Sequence, residues 1–243
     1  MNNILELKTI NELRKMSFFI PSYQRGYRWS EKEVTELLND VSAFIPKQID
    51  DSVDKKTWYC LQPIVVKQKQ INNDSDKIQY EVIDGQQRLT TIYLILYYLN
   101  QQYVVKMQKP LFELNYETRE ASHNFLKSLQ NDVIKDDNID FYFISTAYNT
   151  VWDWFESKEN FDTNNFESKF TFNTQVIWYE SKEDDAISIF TRLNIGKIPL
   201  TNAELIKALF LNSSNFKEGK ADRIRLKQLE ISTEWDYIEH ALQ

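Results

Sequence analysis

Tyr80-Glu81-Val82-Ile83-Asp84-Gly85-Gln86-Gln87-Arg88-Leu89-Thr90-Thr91 decides how this chain is read. An alternating, β-prone run stops at Asp84-Gly85, a turn dipeptide. Two amides, an arginine and two threonines follow, and the apolar run Ile92–Leu99 then starts a helix. The first N–H groups of a helix have no intrahelical partner and carry partial positive charge, so a strand–turn–helix corner of this kind offers an anion site. Arg88 adds a two-pronged phosphate donor. The spacing matches neither a P-loop nor a dinucleotide fingerprint, and the same residues also make an ordinary strand–turn–helix corner.

Working outward, the lead-in strand is expected over 77–83, preceded by a loop at 70–76. A partner strand is expected over 58–69, with Pro63 marking an edge or a bulge because proline has no N–H to give a ladder. The buried helix is expected over 86–107. Upstream, Phe18–Ile20 reads as a short strand and Ile4–Met16 as a short amphipathic helix. The segment Pro21-Ser22-Tyr23-Gln24-Arg25-Gly26-Tyr27-Arg28-Trp29-Ser30 interleaves arginines with aromatics. Arginine takes phosphate and an aromatic face takes a flat ring, although buried aromatics beside solvated arginines account for the pattern equally. Ser30 with Glu33 three residues on is a capping box, and it starts a helix over 31–44. After Pro110 a last short strand is expected near 111–115, and then helices over 118–129, 139–158, 182–193, 201–211 and 221–242. An alternating stretch at 174–179 interrupts them. In Phe190-Thr191-Arg192-Leu193-Asn194-Ile195-Gly196-Lys197-Ile198-Pro199-Leu200-Thr201-Asn202-Ala203-Glu204-Leu205, Gly196 is the expected helix stop and Thr201 with Glu204 the next cap.

Composition bounds the function. The chain has 243 residues, enough for a sizeable core, and 42% hydrophobic residues fit a folded protein rather than a disordered one. A net charge of −7 argues against a broad, sequence-independent DNA binder, though a local basic cleft around Arg25, Arg28 and Arg88 is compatible with it. One cysteine and two histidines, His123 and His240, make a disulfide framework or a Cys/His metal site an unpromising reading. The first residues are polar and charged, with no signal-peptide pattern, and no apolar run is long enough to span a membrane. A cytoplasmic protein is the expectation.

Three motifs occur in order: Ile20-Pro21-x-Tyr23-Gln24-Arg25-x-Tyr27-x-Trp29, Asp84-Gly85-Gln86-Gln87-Arg88-Leu89-Thr90-Thr91, and Phe190-x-Arg192-Leu193-Asn194-x-Gly196-x-x-Pro199-Leu200-Thr201-x-x-Glu204-Leu205-Ile206. Together they resemble the N-terminal domain of the GmrSD-type, modification-dependent restriction enzymes, relatives of the phosphorothioate-sensing SspE proteins, and the resemblance covers almost the whole chain. Many members have a second glycine where Lys197 stands here. The resemblance implies an α+β fold: a ParB/sulfiredoxin-like mixed sheet with helices over 1–115, which binds nucleotide, then a mainly helical subdomain over 116–243. It implies a nucleoside triphosphatase that regulates DNA cleavage in phage defence. Family members commonly continue into a nuclease domain with histidine–asparagine chemistry, and the helix over 221–242 carries no capping signal at its end.

On that resemblance, the N–H groups of Gly85–Gln87 and the Arg88 guanidinium would hold phosphates, and Arg25 would offset charge on the transferred phosphoryl group. Asp84 would hold a hydrated Mg²⁺ or orient the attacking water; Gln86 or Gln87 would position that water. Tyr27 or Trp29 would stack on the base. Tyr23, Gln24, Thr90, Thr91, Arg192 and Asn194 complete the expected nucleotide contacts. The expected partners are a nucleoside triphosphate, modified DNA, a nuclease domain or partner chain, and a second copy of the chain. The competing expectation is a ParB-like module that grips DNA phosphates or senses modified DNA without hydrolysis.

Overall fold

A computed structural model of the chain describes residues 3–49, 56–70, 78–118, 120–134, 139–182, 186–194, 207, 210–211, 216 and 221–241. Residues 71–76 of the loop expected over 70–76, and the Gly196 and Thr201 signals, lie outside the described residues.

Six strands form one mixed sheet: β1 (Ile4–Thr9), β2 (Ser17–Ile20), β3 (Tyr59–Gln70), β4 (Ile78–Asp84), β5 (Glu113–Tyr116) and β6 (Thr174–Ser181), in spatial order β1-β6-β3-β4-β2-β5. β2 runs parallel to both β4 and β5, β3 runs parallel to β6, and the β1–β6 and β3–β4 pairs are antiparallel. The helices are α1 (Ile10–Leu13), α2 (Glu31–Ala43), α3 (Gln86–Gln101), α4 (Glu120–Leu126), α5 (Ile139–Glu156), α6 (Thr163–Ser168), α7 (Ala186–Asn194) and α8 (Ala221–Ala241). The fold is α+β.

Strand alternation gives the sheet two different faces. Phe18, Ile20, Ile64, Val66, Val82, Val176 and Trp178 point into the main core, which α2, α3 and α5 complete with Leu38, Leu89, Ile92, Ile95, Ile144 and Val151. Val65 and Ile83 face the other way and meet Tyr23, Ile187, Ile189, Phe190 and Leu211 in a second, smaller core, with Ile231 of α8 against it. α3 is buried along most of its length, which is why its sequence is apolar on several faces.

Two expectations change. The Ile4–Met16 segment is not one helix but β1 followed by the four-residue α1. Thr9 and Glu12 form the capping box that separates them. The helix expected over 86–107 ends at Gln101, and a 3₁₀ turn occupies Val105–Met107. Pro63 sits in the interior strand β3, where the register against β6 shifts between Leu61 and Ile64, so the bulge reading holds and the edge reading does not. β6 lies at 174–181, yet it is flanked by β1 and β3 from the beginning of the chain.

Candidate functional site

Because β2, β4 and β5 are parallel, the segments leaving their C-terminal ends emerge on one side of the sheet. That side is where α/β sheets bind ligands. The three segments are the Pro21–Trp29 loop, the Asp84-Gly85 turn into α3, and Glu117-Thr118.

Gly85 makes the turn possible. Its φ of +95° is left-handed, and it caps α3 with its backbone, without a side chain. A Cβ there would also lie 3.1 Å from Cγ1 of Ile64. Asp84 is half-buried at the end of β4, and its charge favours the protonated guanidinium of Arg88, whose pKa burial lowers from its ordinary value. Arg88 donates to the carbonyl of Pro63 and, at 2.7 Å, to Oε1 of Gln62. It therefore braces the carbonyl and side chain left over at the β3 bulge, a role that its sequence position did not announce. Gln86, the first residue of α3, is only 3% exposed. Its Oε1 accepts from Nε2 of Gln87 at 3.1 Å, whereas its own Nε2 is buried with no hydrogen-bond partner. A buried donor in that condition costs about 1–3 kcal/mol.

The Pro21–Trp29 loop is fastened at nearly every residue. Ser22 N–H donates to Glu117 at 2.8 Å, and its carbonyl accepts from Ser232 Oγ of α8 at 2.7 Å. Gln24 is buried and donates its amide to the carbonyl of Val82. Gln87 reaches across from α3 with both ends of its amide. Its Oε1 accepts from the Arg28 N–H at 2.7 Å, and its Nε2 donates to the Gly26 carbonyl at 2.9 Å. Arg28 pairs with the buried Asp140 of α5 at 2.6 Å and lies over the Phe143 ring. Asp140 also explains Gly26: a Cβ there would come within 1.9 Å of the Asp140 Oδ1. Asp140 was not foreseen, since nothing in the local sequence of α5 points to a partner on residues 26–28.

Several expected contacts turn out to be core. Tyr27 is 1% exposed and its hydroxyl is 2.8 Å from Thr91 Oγ1, so its ring has no face left for a base. Burial drives its pKa well up. Tyr23 is likewise buried, tilted against Phe190 at 5.1 Å, with its hydroxyl donating to Glu81. Thr90 and Thr91 are fully buried in the first turns of α3 and back-bond to the carbonyls of Gln86 and Gln87, each at 3.0 Å. The reason is shared: a large ring with one polar tip, or a short hydroxyl side chain, is accommodated in a core once the tip finds a partner. Trp29 is half-buried against the main core, and Arg25 is half-buried in the fastened loop. Arg192 and Asn194 lie in the last turn of α7, and their side chains are outside the described residues.

Of the expected site residues, Asp84, Gln87, Arg88, Arg25 and Trp29 keep part of their surface exposed, whereas Gly85 and Gln86 are buried. Among the described residues no three His, Cys, Asp or Glu side chains cluster as a metal site.

The chain is an α+β domain in which a helix N-terminus, an arginine and a carboxylate meet at the C-terminal ends of the parallel strands β2 and β4. Comparison with known families is specific: residues 2–211 match the GmrSD restriction endonuclease, N-terminal domain. The chain belongs to that family and is a component of a restriction system. No curated protein matches the sequence. Among the described residues no helix is long and apolar enough to cross a membrane.

Proposed function

We propose that this domain binds and hydrolyses a nucleoside triphosphate at the Gly85–Arg88 corner, and so regulates DNA cleavage by a modification-dependent restriction system that acts in the cytoplasm against phage. The observation that carries the reading is the Gln86 amide: a buried donor without an acceptor, placed at the first residue of a helix beside Arg88 and Asp84. A buried donor without an acceptor calls for an explanation, and an anionic ligand at the start of the helix would supply the acceptor.

In this reading the N–H groups of Gly85–Gln87 and the outer nitrogens of Arg88 hold the phosphates. Gln86 Nε2 donates to a phosphate oxygen or to the attacking water. Arg25 offsets charge on the transferred group, and Trp29 is the one aromatic of the loop with surface left to meet a base. Gln87 holds the loop in place by gripping Gly26 and Arg28, so it acts as a positioning residue. Mg²⁺, when bound with the triphosphate, supplies charge neutralisation between phosphate oxygens, and Asp84 would take up one of its waters. The nuclease step falls to a further domain or a partner chain.

The test is phosphate release from GTP, CTP, UTP and ATP with Mg²⁺, for the wild type and Asp84→Ala, beside calorimetric titration of the same nucleotides. The expected result is turnover of at least one nucleotide by the wild type. Asp84→Ala should bind it and release little phosphate, and in the absence of Mg²⁺ should bind it as tightly or more tightly, because a carboxylate repels phosphate. A wild type that binds duplex DNA but no nucleotide overturns the proposal.

A further inference from the structure

We propose that β1 is a self-recognition edge, through which two copies of this chain join their sheets in an antiparallel pair centred on Leu7. β1 is the outermost strand of the sheet on its side, so one row of its backbone N–H and C=O groups has no partner strand among the described residues. Such an edge is a template for another strand and is usually blunted. Here it carries exposed apolar side chains instead: Leu5 is 70% exposed and Leu7 43%. Register against β6 puts Leu5 beside Tyr179 and Leu7 beside Ile177, on the face opposite Trp178, whereas Glu6 stands opposite Trp178 itself. Both leucines therefore lie on one face, at the sheet margin, and burying them needs a neighbour that prolongs the sheet.

The charge pattern selects a copy of the same strand as that neighbour. A two-fold axis perpendicular to the sheet requires that directly opposed residues share a face, so the centre falls on a residue and not between two. Centring on Glu6 sets Glu6 against Glu6, and centring on Lys8 sets Lys8 against Lys8, both repulsive. Centring on Leu7 sets Leu7 against Leu7 of the partner subunit, and Glu6 against Lys8 of the partner subunit, on both sides of the axis. The four leucines then form one apolar patch on one face. Glu6 and Lys8 already pair within the strand at 2.5 Å, with Lys8 over the Trp178 ring at 5.2 Å, so each charge needs only to share its partner across the axis. This inference is independent of the nucleotide reading.

Sedimentation velocity of the full chain over a concentration series tests it, with charge variants and a crosslink. The wild type should be a concentration-dependent dimer. Glu6→Lys, which opposes lysine to lysine, should shift the midpoint at least tenfold upward, and so should Lys8→Glu. The double exchange Glu6→Lys/Lys8→Glu restores opposite charges and should recover the wild-type midpoint, a recovery that simple damage to β1 would not give. Leu7→Cys in a Cys60→Ser background should oxidise to a disulfide-linked dimer, since directly opposed residues of antiparallel strands have Cα atoms about 4.5–5.5 Å apart, within the range that a disulfide spans, while Leu5→Cys, set several residues away from its own copy, should not. A wild type that is monomeric at its highest soluble concentration overturns the proposal, whatever other strand the edge then accepts. So does a dimer that the single charge reversals leave unchanged, or a double exchange that stays dissociated.

Discussion

Replacing Gln86 with methionine separates stability from function in opposite directions. The two side chains are unbranched and of similar volume, so the packing around a residue that is 3% exposed is kept. The substitution deletes the buried Nε2 that lacks a partner, which relieves about 1–3 kcal/mol. It also deletes the Oε1 that accepts from Gln87 at 3.1 Å, a neutral bond of about 0.5–1.5 kcal/mol, while Gln87 keeps its bonds to Gly26 and Arg28. The net is a protein as stable as the wild type or more stable by about 0–2 kcal/mol, and at roughly 2–4 °C per kcal/mol its melting temperature should hold or rise by a few degrees. With Mg²⁺ and the active nucleotide the order should reverse. A ligand bound only by the native state stabilises it by mass action, about 2.7 kcal/mol at a hundredfold excess over Kd, and Gln86→Met should forfeit most of that. Thermal melts of both proteins with and without nucleotide read all four states. A methionine variant that melts well below the wild type without nucleotide would show that Gln86 is satisfied in its core. A nucleotide-dependent rise equal in the two proteins would refute its contact with phosphate.

Arg88→Ala should lose nucleotide affinity in calorimetry and about 1–3 kcal/mol of stability in urea, since it removes the donors to Pro63 and Gln62 at the β3 bulge; unchanged affinity in the folded variant would retire its phosphate role. Gly26→Ala drives a methyl into Asp140 and displaces it from Arg28, a loss of about 3–5 kcal/mol, and the double variant Gly26→Ala/Asp140→Ala should lose less than the sum of the two singles because the second change removes the clash; additive losses in chemical denaturation would count against the contact. Burial pushes Tyr93 and Tyr148 up to about 12, so the folded state keeps protons that the unfolded chain releases near the ordinary tyrosine value. Stability should therefore be at its full level below about pH 10 and fall as pH rises toward 12. Absorbance at the tyrosinate band, followed together with circular dichroism, should show these tyrosines ionising with unfolding; ionisation that precedes any loss of structure would contradict the burial.

The strand–turn–helix at 80–101 was legible because alternation, Asp-Gly and an apolar run each have one local meaning. The α2 start was legible from Ser30 and Glu33 for the same reason. β1 was missed although its signal was present: Leu5 and Leu7 alternate with Ile4, Glu6 and Lys8, and Thr9-x-x-Glu12 announces a helix that begins only afterwards. Apolar residues at both strand and helix spacing left the period ambiguous, and pairing with a strand some way off settled it. In the candidate site, the sequence showed the strand–turn–helix corner but not the contacts that its side chains make. Glutamine, tyrosine and threonine look alike as ligands and as core residues until their partners are known. The partners of Tyr27 and Gly26 come from α3 and α5, and those of Gln87 from the Pro21–Trp29 loop, far away along the chain, so no window of sequence contains both halves of any of these contacts.

The position of β6 sets a timetable for making this protein. Ile4 ends up beside Glu180, and Tyr59 beside Thr174, so the strands on both flanks of β6 are synthesised long before it. At 5–20 residues per second the ribosome needs roughly 10–35 s to pass from β1 to β6. For that interval β3 has an unpaired margin carrying Leu61, Ile64 and Val65, and β1 has nothing to pair with in the finished order. Closing the sheet then requires a long chain segment to return and insert a strand between two waiting ones, the slow kind of step in which loop entropy is lost before contacts reward it. A nascent chain stalled near residue 115 would present that open β3 margin to its neighbours on the polysome, and chaperone occupancy should peak over this window and drop once residue 181 has cleared the exit tunnel.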